Sequence, residues 1–352
     1  MRPRLVFDDK TLTRFLRKND IAFTTNKEGL IDLTRDIKGD LPEIEIPKEY
    51  THVHLKKLRS CGELNAYSVD NFKAEALEHV YGHLHAPSAH KFKANALREV
   101  HGHLNTQWAE RFSAENLREV KGNLCANRAE GVVRFNKLRR VNKNFDTHGA
   151  IRVEAKVLKH IGGHLDARFA DSAQFYALES VKSYVDLGNA RHITVNNLET
   201  IGNHFNLKRA TMLQAKALTF IGGDCNARHV KEFNMTSLEV VERSLNIRNA
   251  QQIYADKLKQ VGQITVNNNL AETTAGALLF SPKIGTRVSV FNQNTGMVQL
   301  GERASTTVEN ARDILQKKTP NKKHRQEYQT FLTERPKYQA FLDQCYGPAL
   351  AI

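Results

Sequence analysis

Disulfide chemistry has little to work with in this chain. Its 352 residues hold four cysteines, at 61, 125, 225 and 345, too sparse and too distant for a disulfide framework or a CxxC metal site. A reducing compartment is the expectation. Proline is scarce at 8 and glycine stands at 20, which excludes collagen-like and mucin-like chains. With 40% hydrophobic residues the chain can bury a core, which excludes wholesale disorder. No run of 18 uncharged apolar residues occurs, and Met1-Arg-Pro-Arg-Leu-Val-Phe-Asp-Asp-Lys10 lacks the apolar stretch of a cleavable signal. The reading is a soluble chain without a membrane span, not exported by the general secretory route. A Walker loop, a G-x-S-x-G elbow and an H-E-x-x-H pair are all missing, so neither an enzyme nor a cofactor is expected. What is in excess is positive charge: 52 Lys+Arg less 38 Asp+Glu leaves +14.

What the chain does have is a repeat. Leucine recurs at 77, 97, 117, 138, 158, 178, 198, 218, 238 and 258, eight steps of twenty residues and one of twenty-one. With each leucine as position zero, a β-branched residue follows at three (Val80, Val100, Ile161, Val181) and an apolar one at seven (Leu84, Leu104, Phe145, Leu165). Position nine is small or aliphatic, twelve is mostly alanine, fifteen is bulky and seventeen is small or aliphatic. Glycine at five (Gly82, Gly102, Gly122, Gly163, Gly223) allows a bend or a close backbone approach. Inward residues two apart, at seven and nine and at fifteen and seventeen, are strand signals, and the steps of three between them are corners. A unit that returns to the same cross-section every twenty residues is one coil of a solenoid. About eleven coils, roughly 4.8 Å apart, are predicted.

The phrases Leu158-Lys-His-Ile-Gly-Gly-His-Leu-Asp-Ala167 and Leu218-Thr-Phe-Ile-Gly-Gly-Asp-Cys-Asn-Ala227 resemble the units of short bacterial leucine-rich-repeat proteins, and are similar to the repeats of receptor L-type β-helical domains. The resemblance implies a mainly β repeat solenoid. Alanine at several inward positions, and the lack of an inward asparagine, point to a narrow, flattened coil closer to a parallel β-helix than to an open horseshoe. The same resemblance implies a recognition protein, such as an effector delivered into a host cell by a dedicated secretion system, or a phage or cytoplasmic bacterial protein.

The repeat divides the chain into an N-terminal cap at 1–54, a solenoid at 55–270, terminal strands at 271–306 and a helical C-terminal tail at 307–352. In the cap, Asp9 to Lys18 suits a short helix, Ile21-Ala-Phe23 and Leu30-Ile-Asp-Leu33 suit short strands, and Ile37 to Leu41 suits a degenerate coil. Near the other end Val288-Ser-Val-Phe291 reads as a strand. The tail carries a basic cluster, Lys317, Lys318, Lys322, Lys323 and Arg325, which reads as a solvated linker or as a patch for nucleic acid, acidic protein or targeting. It also holds Cys345, the one candidate nucleophile outside the repeats.

Between the inward positions lie outward polar columns. Position six holds His83, His103, His164, Tyr184 and His204; position eight holds Asp146, Asp166, Asp186, Asn206, Asn226 and Asn246. Such uniform polar ladders are either a stacking device or a recognition surface. Beside them, positions ten and eleven carry Arg128, Arg168, Lys208, Arg209, Arg228 and Arg248, which read as surface ion pairs or as a basic stripe. His83 and His103, one coil apart, are the nearest approach to a metal pair, but no cysteine or carboxylate joins them in the pattern and no metal site is assigned. The functional expectation is a non-catalytic scaffold that binds a protein partner along a solenoid face. The alternative is a nucleic-acid-binding protein that uses the basic stripe and the 317–325 cluster.

Overall fold

Each inward position of the repeat is an instruction to bury a side chain, and the structure, a computed structural model, obeys it coil by coil. In the coil that begins at Leu158, the side chains of Leu158, Ile161, Leu165, Ala167, Ala170, Ala173 and Phe175 are all sealed from solvent. The residues described are 5–19, 21, 23–25, 28–33, 43–129, 131–250, 252–255, 257–258, 260–266, 272–273 and 287–289. Over these the protein is a parallel β-solenoid of about ten turns. It divides into two units, Met1–Ala190 and Arg191–Ile352.

A turn has three short strands and no helix, which is the parallel β-helix and not a horseshoe with helical outer segments. In one turn these strands are Glu99–Val100, Leu104–Asn105 and Arg111–Ser113. Each pairs in parallel with its equivalent one coil away, so like residues stack: Leu84 on Leu104, Leu104 on Leu124, Val100 on Val120. The hydrogen bonds run coil to coil, as from Leu165 N–H to Tyr184 O at 3.0 Å and from Ala167 N–H to Asp186 O at 2.9 Å. In the first unit the bulky column at fifteen becomes an aromatic stack, with Phe72 over Phe92 at 5.0 Å and Phe92 over Phe112 at 5.4 Å, the planes within 8° in both pairs.

The single step of twenty-one residues has a structural result. Between Ala129 and Val133 one residue is inserted, Gly131 takes φ +122°, and the third strand resumes at Val132–Arg134. The third-strand sheet that ends at Arg111–Ser113 stops there, and a separate sheet starts with Val132–Arg134. Aromatic packing crosses the break by changing column, from Phe112 to Phe135 at 5.5 Å and from Phe135 to Phe145 at 5.2 Å.

The helix expected at Asp9–Lys18 is present. Its N-cap Asp8 accepts from Thr11 N–H at 2.9 Å, and Leu12 and Leu16 are buried against the first coils. Asp9 fastens it by accepting the backbone N–H groups of Lys56 and Lys57 at 3.1 and 3.0 Å. Of the two cap strands, one lies at Ile31–Asp32 within the expected segment, whereas the other is at Thr24–Thr25 and not at Ile21–Phe23. Parallel pairing with the solenoid already begins in the cap, where Val6–Asp8 pairs with His52–His54 and Glu43–Glu45 with Glu63–Asn65. In the second unit, phenylalanine, cysteine and leucine share one column as Phe205, Cys225 and Leu245. Arg287–Ser289 forms a strand against Gln263–Thr265. The segment 37–41, the tail read as helices at 307–352, its basic cluster and Cys345 lie outside the described residues. Among the described residues, no helix is long and apolar enough to cross a membrane.

Candidate functional site

A parallel coil uses its N–H at position seven for the neighbouring coil and leaves the N–H at six without a backbone acceptor. The side chains of position six supply one. His83 Nδ1 accepts from His103 N–H at 2.8 Å, and His103 Nδ1 accepts from Asn123 N–H at 2.8 Å. Asn123 Oδ1 then takes Asn144 N–H, and Asn144 Oδ1 takes His164 N–H, both at 3.1 Å. In the second unit His204 Nδ1 takes Asp224 N–H, and Asp224 Oδ1 takes Ser244 N–H, both at 3.0 Å. The rings stack as they do so: His83 on His103 and His164 on Tyr184, each at 4.6 Å between centroids.

The glycines at five are explained by this column. A Cβ on Gly102 would stand 2.6 Å from Gly82 O and collide with His83 Nδ1; one on Gly122 would stand 2.7 Å from His103 Nδ1. The acceptor of one coil occupies the space that glycine leaves in the next.

The bond also fixes the histidine tautomer. A ring nitrogen that accepts an N–H must carry the lone pair, so Nε2 bears the proton. Nε2 of His83 or His103 could ligate a metal only if the proton moved to Nδ1, at the cost of a coil-to-coil bond. The pair is built for stacking. Burial, followed by the charge of His83, holds the pKa of His103 below the ordinary histidine value; His85 is lowered by the same two causes in the same order.

Position eight does a different job. In five of its six residues from Asp146 to Asn246 the side-chain oxygen accepts the N–H two residues on, an Asx turn at the corner, whereas Asn226 Oδ1 is buried without a hydrogen-bond partner. Asp186 bonds Gly188 N–H at 2.9 Å, Asp166 bonds Arg168 N–H at 3.1 Å, Asn206 bonds Lys208 N–H at 3.2 Å, and Asp146 and Asn246 bond His148 and Arg248 N–H at 3.3 Å. Asn206→Ala removes one such exposed corner bond, so a net loss of about 1 kcal/mol is expected with the cooperative melt retained. Thermal unfolding followed by circular dichroism checks this, and outright unfolding would contradict the corner assignment.

Asp146, His148 and Asp166 bring ligand atoms within 4.8 Å of one another. Their polar atoms already have partners within the protein. Arg168 forks onto the buried Asp166, its Nε 3.1 and 3.0 Å from the two carboxylate oxygens and its terminal nitrogen on one of them. His148 Nδ1 is 2.9 Å from Asp146 Oδ1. The bond to Asp166 raises the Arg168 pKa further, so its charge is permanent. Burial, then the charge of Asp166, raises the Tyr184 hydroxyl. Among the described residues this is an ion-paired corner.

The stripe at ten and eleven has two chemistries. In the first unit Trp108 is 41% and Phe169 59% exposed. The Arg128 guanidinium lies 3.4 Å over the Trp108 ring, a cation–π pair one coil apart, and His148 meets Phe169 edge to face at 6.2 Å. That Trp108 and Arg128 share position eleven twenty residues apart is a signal the sequence held and the column reading did not use. In the second unit Lys208, Arg209, Arg228 and Arg248 are exposed beside the neutral Asn206, Asn226 and Asn246. The described cysteines offer no nucleophile: burial pushes the thiols of Cys125 and Cys225 up to about 12 and raises Cys61 further.

Comparison with known proteins finds no matching family model, no matching curated protein and no matching solved structure.

Proposed function

We propose that the protein is a non-catalytic recognition scaffold that binds a protein partner at the corner formed by positions ten and eleven of the first unit. One observation carries the reading. The outward polar columns are engaged in holding coils and corners together, whereas the side chains of Trp108, capped by Arg128, and Phe169 stand exposed and leave the ladder to their backbones, through Trp108 N–H to Pro87 O at 2.9 Å and Phe169 N–H to His148 O at 3.2 Å. Tryptophan and arginine are the side chains most enriched where interface energy concentrates. A corner fixed by Asx turns presents them at little entropic cost. Buried free thiols at Cys61 and Cys225 suit a protein that works in a reducing compartment. The Ile-Gly-Gly phrases, similar to short bacterial leucine-rich repeats, favour a bacterial or phage origin and a role as an effector.

Capture of a nuclease-resistant partner, followed by a binding titration with Trp108→Ala and Phe169→Ala, tests the proposal. Loss of a hot-spot residue costs about 2 kcal/mol or more, a drop of roughly 30-fold in affinity. Both side chains are exposed, so loss of the Arg128–Trp108 contact should cost about 0.5–1 kcal/mol and the cooperative melt should be kept. A partner that binds both variants as tightly as the natural chain would overturn the assignment.

A further inference from the structure

The corner of the second unit has been stripped of its carboxylates. In the first unit the corner segments 146–151, 166–171 and 186–190 contain Asp146, Asp166, Asp171 and Asp186 against the single Arg168. In the second unit, segments 206–211, 226–231 and 246–250 contain Lys208, Arg209, Arg228, Lys231 and Arg248 and no carboxylate. Asparagine and aspartate make the same Asx turn, as Asn206 and Asp186 show, so the fold does not demand this exchange. All five cations are exposed, and none has an ion-pair partner among the described residues. The nearest carboxylate along the chain is Glu232, which belongs to the adjoining third strand.

The frame beneath the cations is rigid. Asn206 stacks on Asn226 and Asn226 on Asn246 in parallel register. His229 N–H bonds Lys208 O and Asn249 N–H bonds Arg228 O, both at 3.1 Å. Lys208, Arg228 and Arg248 therefore follow one another at one coil each, and the row spans roughly 10 Å.

We infer that this corner binds the phosphate backbone of duplex nucleic acid. In the second unit the described Phe and Tyr side chains, Phe205, Phe220, Phe233 and Tyr254, are buried or half-buried, and the exposed His229 ring is taken by Asn249 Nδ2 at 3.1 Å, so the corner offers no row of rings on which successive bases of a single strand could stack. Among the described residues of this unit Met212 is the one exposed large apolar side chain, too little to form the dry centre of a protein interface. A compact row of cations with neither feature suits a polyanion whose affinity comes from counterion release. The inference goes beyond the protein-recognition reading and stands apart from it, since the two corners share no residue.

Fluorescence anisotropy with a labelled random-sequence DNA duplex, using the full chain between 50 and 200 mM salt, decides it. Four phosphate contacts give a slope of about −3.6 in log affinity against log salt, a loss of roughly 150-fold over that range. Neutralising Lys208, Arg209, Arg228 and Arg248 to glutamine should flatten the slope by about one for each contact removed, with the melting curve kept. A second variant, with Lys317, Lys318, Lys322, Lys323 and Arg325 changed to glutamine, should keep most of the slope. No duplex binding at 50 mM salt would overturn the inference. So would a slope that survives the corner variant and vanishes in the cluster variant, or a single strand bound more tightly than the duplex. Trp108→Ala should leave the duplex titration unchanged, which keeps failure of this inference distinct from failure of the protein-recognition reading.

Discussion

Leu165→Asp should abolish the cooperative melting transition of the first unit. Leu165 is fully buried between Phe145 and Val185 in its column, and Phe145 in turn meets Phe175 edge to face at 5.8 Å. An aspartate there would place a carboxylate among apolar side chains with no cation in reach. An uncompensated buried charge costs about 3–5 kcal/mol, and the lost leucine burial adds about 2–5 kcal/mol, as for other large-to-small core changes. Together these approach the whole stability of a typical domain, about 5–15 kcal/mol. Each coil touches only its neighbours, so the gap cannot be closed by distant repacking. Circular dichroism during heating, and the urea midpoint, are the measurements. A transition with the midpoint of the natural protein would mean that position seven does not face the core. Asp166→Asn is the companion, because asparagine forms the same corner at 206 and 246; it should fold and lose only the Arg168 pair.

The contrast between Leu165 and its outward neighbour Asp166 marks how far the sequence can be read. Inward columns are legible because a coil that repeats every twenty residues must stack like on like, and a period of two with corners of three leaves one solution. The insertion was visible as the step from Leu117 to Leu138, and it falls where the third-strand sheet is interrupted. The cap helix was legible from Leu12, Phe15 and Leu16. The cap strand at Thr24–Thr25 was not, because the apolar Ile21 and Phe23 drew the assignment three residues early. Outward columns are harder, since periodicity says that a side chain points out and nothing about what it bonds. Position six meets the next coil and position eight meets its own corner, although both are short polar columns on one strand. The clue to the first was the glycine before it: a coil leaves room at five only if something must enter from its neighbour. The clue to the second corner was the change from aspartate to asparagine beside gathering lysine and arginine.

Acid should loosen the first unit, and the histidine column is the reason. His83 and His103 each accept a backbone N–H through Nδ1, and an imidazolium has two N–H groups and no lone pair to offer. His103 has its pKa lowered in the folded state, by burial first and then by the charge of His83, with Lys143 and His85 adding to it. The sign follows from proton counting. Below the ordinary histidine value of about 6.5 the unfolded chain binds a proton that the folded chain resists, so stability is full above that pH and is lost as pH falls from there toward the lowered folded pKa. The groups around the pair are His85, Glu63, Lys143 and the edge of the Tyr81–His101 contact; Glu63 acts against the shift at His85. When the His103 ring is charged, its ladder bond to Asn123 N–H, worth about 1 kcal/mol, is lost. Two charges 4.6 Å apart add about 1 kcal/mol even at the dielectric of water. The sum, about 2 kcal/mol, corresponds to a melting temperature lower by roughly 4–8 °C between pH 7.5 and pH 5. The protein supplies its own control, because Asn123 and Asn144 fill the same column and accept the same bond without titrating. The double variant His83→Asn, His103→Asn should melt like the natural chain at pH 7.5 and lose most of the difference at pH 5. An acid shift that is undiminished in the double variant would place the sensitivity in other groups and leave the histidine column a stacking element alone.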